Sequence, residues 1–134
     1  LLSLRPDAGR FAYREADFHS DGLGDRDYDL VLISNVARVE DEATNRELVR
    51  KSFQALRSGG RLVIHDYVIR PDRTGPRFSA LLGLHLLVFT GRGEVYTTAE
   101  MKGWLRGAGF KSGTSFGIAK ESLHPSCAVV GRKP

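Results

Sequence analysis

Tyr28-Asp29-Leu30-Val31-Leu32-Ile33-Ser34-Asn35, and further on Arg61-Leu62-Val63-Ile64-His65-Asp66, decide the fold of this 134-residue chain. Tyr28 to Ile33 is a short apolar run rich in branched side chains, the pattern of a strand buried on both faces of a parallel sheet. Between Asp41 and Leu56 the apolar residues Ala43, Leu48, Val49, Phe53, Ala55 and Leu56 recur at helical spacing, with Arg46, Glu47, Arg50, Lys51 and Gln54 in the gaps. That spacing predicts an amphipathic helix. Ser58-Gly59-Gly60 offers residues that tolerate a left-handed C-cap, and Arg61 to Asp66 begins a second strand. Together they form a βαβ unit, right-handed by the general rule for parallel crossovers.

Working outward, Pro6, Asp7 and Gly9 read as a turn ahead of Phe11 to Ala16, whose alternation of large and polar side chains predicts a strand with Asp17-Phe18 at its carboxyl end. His19 to Asp27 is a loop carrying Gly22 and Gly24, and Pro71, Asp72, Gly75 and Pro76 mark another. Arg77 to Phe89 is strongly apolar and predicts a helix that Gly91-Arg92-Gly93 breaks. Thr97 with Glu100 has capping-box spacing, and Met101, Trp104, Leu105 and Ala108 give the apolar stripe of the helix that follows. Lys111 to Ala119 and Ser126 to Gly131 predict an antiparallel pair of strands around the turn Glu121 to Pro125. No internal repeat or low-complexity tract interrupts this order.

A hydrophobic content of 41% and a charged content of 27% suit one soluble domain with a real core. The formal charge is +4, but the 20 basic residues are interspersed with 16 acidic ones. This is a mixed solvated surface rather than a nucleic-acid footprint. Cys127 is the only cysteine, so no internal disulfide forms and a reducing cytoplasm is the expected setting; its neighbours Ala128, Val129 and Val130 make it a core thiol. No signal peptide opens the chain, and the apolar stretch Leu81 to Phe89 is too short to cross a bilayer. The first residue is Leu rather than Met, which points to a piece of a longer product or to processing. No set of His, Cys, Asp or Glu has metal-ligand spacing, so no metal is expected.

Asp17-Phe18, Tyr28 to Val36, Leu56 to Asp66, Tyr96-Thr97 with Glu100 and Trp104-Leu105, and Ala108-Gly109-Phe110 occur in the order and spacing of S-adenosylmethionine-dependent O-methyltransferases. The chain resembles the subgroup that includes the plant caffeic-acid type and the bacterial enzymes acting on polyketides and carotenoids. The match runs over nearly the whole chain. The resemblance implies an α/β fold, a partial Rossmann-like class I methyltransferase sheet, mostly parallel with a C-terminal antiparallel hairpin. It also implies a ligand site outside the carboxyl ends of the strands. By the same resemblance Asp17 accepts from the adenine amine, Phe18 packs on the ring, and Ser34 and Asn35 approach the amino-acid or sulfonium end of S-adenosyl-L-methionine. The acceptor is a small molecule with a hydroxyl, aromatic or polycyclic. Leu81 to Phe89, Phe78 and Trp104 are expected to supply its pocket.

Two departures qualify the resemblance. The family's glycine-rich loop and the acidic residue that holds the ribose have no counterpart, so the edge of the Tyr28 strand is expected to be unpaired, and either a preceding segment or a second copy in a homo-oligomer is expected to complete it. The family also places a histidine two residues after Val36, where it deprotonates the acceptor hydroxyl. Here that position is Arg38, which stays protonated and cannot act as the base. Asp66, and Glu94 with a one-residue shift in register, match the two carboxylates that flank the histidine, so an ion-pair cluster of Arg38, Asp66 and Glu94 is expected in its place. His19, His65, His85 and His124 match no catalytic position. The lost base leaves two other readings open: a non-catalytic binding or assembly module, and a relative that uses the cofactor in decarboxylation or hydroxylation.

Overall fold

The computed structural model describes residues 10–118 and 121–134. In chain order the elements are β1 (Tyr28–Ser34), a single 3-10 turn (Ala37–Val39), α1 (Glu42–Ala55), β2 (Leu56–Asp66), α2 (Arg77–Thr90), α3 (Thr98–Gly107), β3 (Lys111–Ile118) and β4 (Ser126–Arg132). The expected turn at Pro6 to Gly9 and the end of the third strand at Ala119 lie outside the described residues.

Local chemistry accounts for each helix. Asp41 caps α1 by accepting from the Thr44 N–H at 2.8 Å, and that bond holds its carboxyl below the usual range. The capping box forms at α3, with Thr97 Oγ1 accepting from the Glu100 N–H and Glu100 Oε2 accepting from the Thr97 N–H. Both α1 and α3 lay their apolar faces on one side of the sheet. There Leu48, Val49, Leu56, Leu62, Ile64, Met101, Trp104, Leu105, Phe110 and Val129 form the main core. Full burial of each such side chain contributes about 1.5–3 kcal/mol. A smaller cluster of Ile69, Leu86 and Val95 anchors α2.

The sheet order is β1-β2-β4-β3, with β1 parallel to β2 and the other two pairings antiparallel. The βαβ unit and the final antiparallel pair are as the sequence predicts. Because β4 runs back between β2 and β3, the start of β4 meets the carboxyl end of β2, with Cys127 opposite Asp66. Three expectations are corrected. Phe11 to Ala16 forms no strand, and all six residues are exposed, since no described strand lies beside them to accept their ladder bonds. Ser58-Gly59-Gly60 is not a helix cap: α1 ends at Ala55, Leu56 is already extended, and Gly59 (φ +81) makes an irregularity inside a longer β2. Gly60 is needed there for space, because a Cβ would lie 2.9 Å from the Arg57 carbonyl oxygen. Finally, β1 is not buried on both faces: Leu30 and Leu32 are 57% and 60% exposed, and only Ile33 is buried.

Candidate functional site

Five polar groups meet where β1 and β2 end. Asp66, fully buried, accepts from the Arg38 guanidinium (Nη1 to Oδ1, 2.8 Å), the Arg38 N–H (3.1 Å) and the Tyr67 N–H (2.8 Å). The same Nη1 donates to Asn35 Oδ1 at 2.6 Å. Asn35 sits in the left-handed region (φ 60), which Asn tolerates better than most side chains, and this turns the chain from β1 into the segment carrying Arg38. Its Nδ2 donates to Ser34 Oγ at 3.2 Å, and Ser34 Oγ shares a hydrogen with His65 Nδ1 at 2.9 Å. On the other side the Arg38 guanidinium lies 5.3 Å from the Tyr67 ring centroid. Tyr67 packs edge-on against Phe78, which packs against His124. An aromatic wall therefore runs from Arg38 toward the turn before β4.

The Asp17-Phe18 loop is a second neighbourhood. Asp17 is exposed and its Oδ1 accepts from the His19 N–H at 2.9 Å, while the half-buried Phe18 ring stacks with the His19 ring at 4.3 Å. Lys51 reaches over from α1 and donates to the carbonyls of Phe18 and His19, at 2.8 and 2.9 Å, fixing this loop to the helix. His19 also faces the buried Glu40 (3.5 Å), which Arg92 approaches from the other side (3.4 Å). Tyr96, its hydroxyl donating to the Glu40 carbonyl, is pushed up to about 12 by burial.

Of the predicted site residues, the structure brings Ser34, Asn35, Arg38 and Asp66 together. The Glu94 carboxylate lies elsewhere: it pairs with Arg73 at 2.9 Å, and only its backbone meets the site, the Glu94 N–H donating to the Arg38 carbonyl at 2.9 Å. Backbone pairing with the Arg38 segment turns the side chain outward, and the cluster reduces to Arg38 and Asp66. Trp104 does not reach this cluster either. It is buried in the main core, edge-on to Tyr96, with its indole N–H directed at Glu42. His85 is exposed and stacks on Phe89. Cys127 is buried, as expected of a core thiol. Lys51, His65 and Tyr67 carry more of the site than their sequence positions suggest. The one available signal was the placement of His65 and Tyr67 either side of Asp66. Among the described residues no group of three His, Cys, Asp or Glu could hold a metal ion, and no helix is long and apolar enough to cross a membrane.

The sheet is mixed α/β, and the polar cluster lies at the carboxyl ends of its two parallel strands, where open α/β sheets place their ligands. Comparison with known proteins narrows this to a family. Residues 3–111 match the family described as the O-methyltransferase domain. The chain is 39% identical over 101 residues to the 3-hydroxy-5-methyl-1-naphthoate 3-O-methyltransferase of Streptomyces sahachiroi, covering 75% of this chain and 29% of that protein. Among solved structures, PigF with SAH superposes with a TM-score of 0.86 at 29% identity, over 99% of this chain and 38% of that one. An O-methyltransferase family 2 protein from Planctomyces limnophilus, in complex with apigenin, gives a TM-score of 0.75 at 34% identity, over 89% and 33%. The chain belongs to the O-methyltransferase domain family. It spans about a third of the length of these relatives.

Proposed function

We propose that this chain forms part of the catalytic domain of an S-adenosylmethionine-dependent O-methyltransferase acting on a small aromatic or polycyclic acceptor whose hydroxyl is already acidic. The observation that carries this reading is the Arg38–Asp66 pair. The residues present fit the adenine end of the cofactor: an exposed carboxylate in Asp17, a flat apolar ring in Phe18, and a loop that Lys51 holds in place. Ser34 and Asn35 supply hydroxyl and amide groups for its amino-acid or sulfonium end. When bound, S-adenosylmethionine supplies a sulfonium methyl group that an oxygen nucleophile can displace in line.

The protein's share is positioning and charge. Arg38 is held by Asp66 and Asn35 through Nη1, and its Nε and Nη2 donate to no described residue. That free edge suits an anionic oxygen, which a guanidinium stabilises without taking its proton. Tyr67 and Phe78 offer rings against which a flat acceptor packs. A phenol that is ionised near neutrality needs no base, so rate comes from holding oxygen and methyl carbon in line. The relatives support the acceptor class: one is named for a hydroxynaphthoate and another was solved with apigenin.

The reading extends to partners and setting. β1 is an outer strand of the described sheet and its Tyr28, Leu30 and Leu32 side chains are exposed; a preceding segment or a second copy completes this strand, and the cytoplasm is the expected compartment. The test is Arg38→His in the full-length protein. A positioned imidazole extends activity to less acidic hydroxyls by a factor of about 100 or more. If Arg38→Ala leaves the rate unchanged on every acceptor, the reading is wrong.

A further inference from the structure

His65 is bonded at both ends of its ring. Nδ1 meets Ser34 Oγ at 2.9 Å and Nε2 meets Ser126 Oγ at 3.0 Å, so one imidazole ties the end of β1 to the start of β4 across β2. Its carbonyl also accepts the Asn35 N–H at 2.9 Å. From Ser34 the bonds continue to Asn35 Nδ2 (3.2 Å), from Asn35 Oδ1 to Arg38 Nη1 (2.6 Å), and from Nη1 to Asp66 Oδ1 (2.8 Å). We propose that His65 is a positioning residue that sets the orientation of the Arg38 guanidinium through this chain of hydrogen bonds.

Arg38 has two side-chain anchors, and they differ in how firmly they are fixed. Asp66 is buried and gripped by two backbone N–H groups, so it stays in place by itself. Among the described residues, the Asn35 amide hydrogen-bonds only to the side chains of Ser34 and Arg38. The guanidinium selects its oxygen, while the position of the amide is set by its NH2 group donating to Ser34 Oγ, which His65 in turn orients. Remove the ring and Ser34 Oγ loses the partner that fixes its rotamer, so the Asn35 amide, still oxygen-first to the guanidinium, is no longer held in one position. Arg38 then keeps Asp66 as its one firmly placed anchor and shifts with the loosened amide, so its free edge no longer points one way. The ion pair survives while the aim is lost, which separates this role from a structural one.

The inference rests on Arg38 facing an anionic acceptor oxygen, and a spectroscopic titration tests the two separately. 4-Nitrophenol absorbs visibly only when ionised, so its apparent pKa can be read while bound to the full-length protein saturated with S-adenosylhomocysteine. A guanidinium within reach lowers that value by about 1–3 units, and Arg38→Ala returns it to the free value. His65→Leu is expected to lose about half or more of the lowering. His65→Asn, whose amide reaches the place of Nδ1 and keeps the Ser34 bond, is expected to retain it. Should His65→Leu fail to fold, Ser34→Ala cuts the chain one link further on with the ring still packed, and the same loss is expected. No lowering in the wild type overturns the Arg38 reading and this inference with it. A lowering abolished by Arg38→Ala but intact in His65→Leu, or in Ser34→Ala where that variant stands in, overturns the inference alone.

Discussion

Replacing Arg38 with Leu leaves the carboxylate of Asp66 in the protein interior without its counter-ion. Asp66 has no exposed surface, whereas the Arg38 side chain is 20% exposed. The burden of the lost pair therefore falls on the carboxylate. Breaking a buried pair by removing one partner costs about 3–5 kcal/mol, because a charge is left uncompensated. Two backbone N–H groups, those of Arg38 and Tyr67, still donate to Asp66 after the substitution, which puts the expected loss at the lower end, about 3 kcal/mol. With a urea m-value of about 2–3 kcal/mol per M, the unfolding midpoint of the full-length protein falls by about 1–1.5 M. In an Asp66→Asn background no buried charge remains, so the same Arg38→Leu change is expected to cost under about 1 kcal/mol, a coupling of about 2 kcal/mol. Circular dichroism through a urea titration of the four proteins gives both numbers. A loss below about 1 kcal/mol for the single variant, or an equal loss in both backgrounds, refutes the argument that Arg38 neutralises Asp66.

Two further outcomes are expected. The 134-residue chain alone is expected to give no low-micromolar heat with S-adenosylmethionine, since Asp17 and Phe18 can engage adenine but no described residue replaces the glycine loop or the ribose carboxylate; a dissociation constant near 1 µM, about −8 kcal/mol, contradicts this. The same chain is expected to elute above monomer mass in size-exclusion chromatography with light scattering, because Tyr28, Leu30 and Leu32 are exposed along β1. Leu30→Lys with Leu32→Lys is expected to restore the monomer, and a wild-type monomer that unfolds cooperatively contradicts the edge argument.

What was legible in the sequence was what short-range chemistry dictates. The spacing of Leu48, Val49 and Ala55 and the Thr97–Glu100 box specify α1 and the start of α3 without reference to the rest of the chain. The pairing of Asp66 with Arg38 was legible only through the family resemblance, which sets a carboxylate at the position of Asp66 beside that of Arg38. Long-range consequences were less visible. Alternation in Phe11 to Ala16 resembles a strand, but a strand also needs a neighbour to bond with. Ser58-Gly59-Gly60 has the residues of a helix cap, and whether two glycines end a helix or bend a strand depends on the Asp29 and Arg57 carbonyls packed against Gly60. Glu94 and Val95 differ by one step along an extended segment, so the register decides which of the two points inward; Val95 is buried and Glu94 faces Arg73. Trp104 was as compatible with a pocket as with the core, and only the packing of α3 on the sheet places it. Lys51 read as a solvated gap-filler on α1, yet it spans more than thirty residues of sequence to cap the Phe18 and His19 carbonyls.

The central claim is that Arg38 replaces a base and restricts the reaction to acceptors that arrive ionised. The most direct test is the rate of methyl transfer by the full-length protein across a series of hydroxyl acceptors of graded acidity, each followed over a range of pH. The account predicts that kcat/KM for every phenol tracks the fraction ionised in solution, with weakly acidic phenols reacting only at high pH and aliphatic alcohols not at all. Efficient methylation of an aliphatic alcohol near neutrality, or a pH profile common to all acceptors and independent of their own acidity, would contradict it.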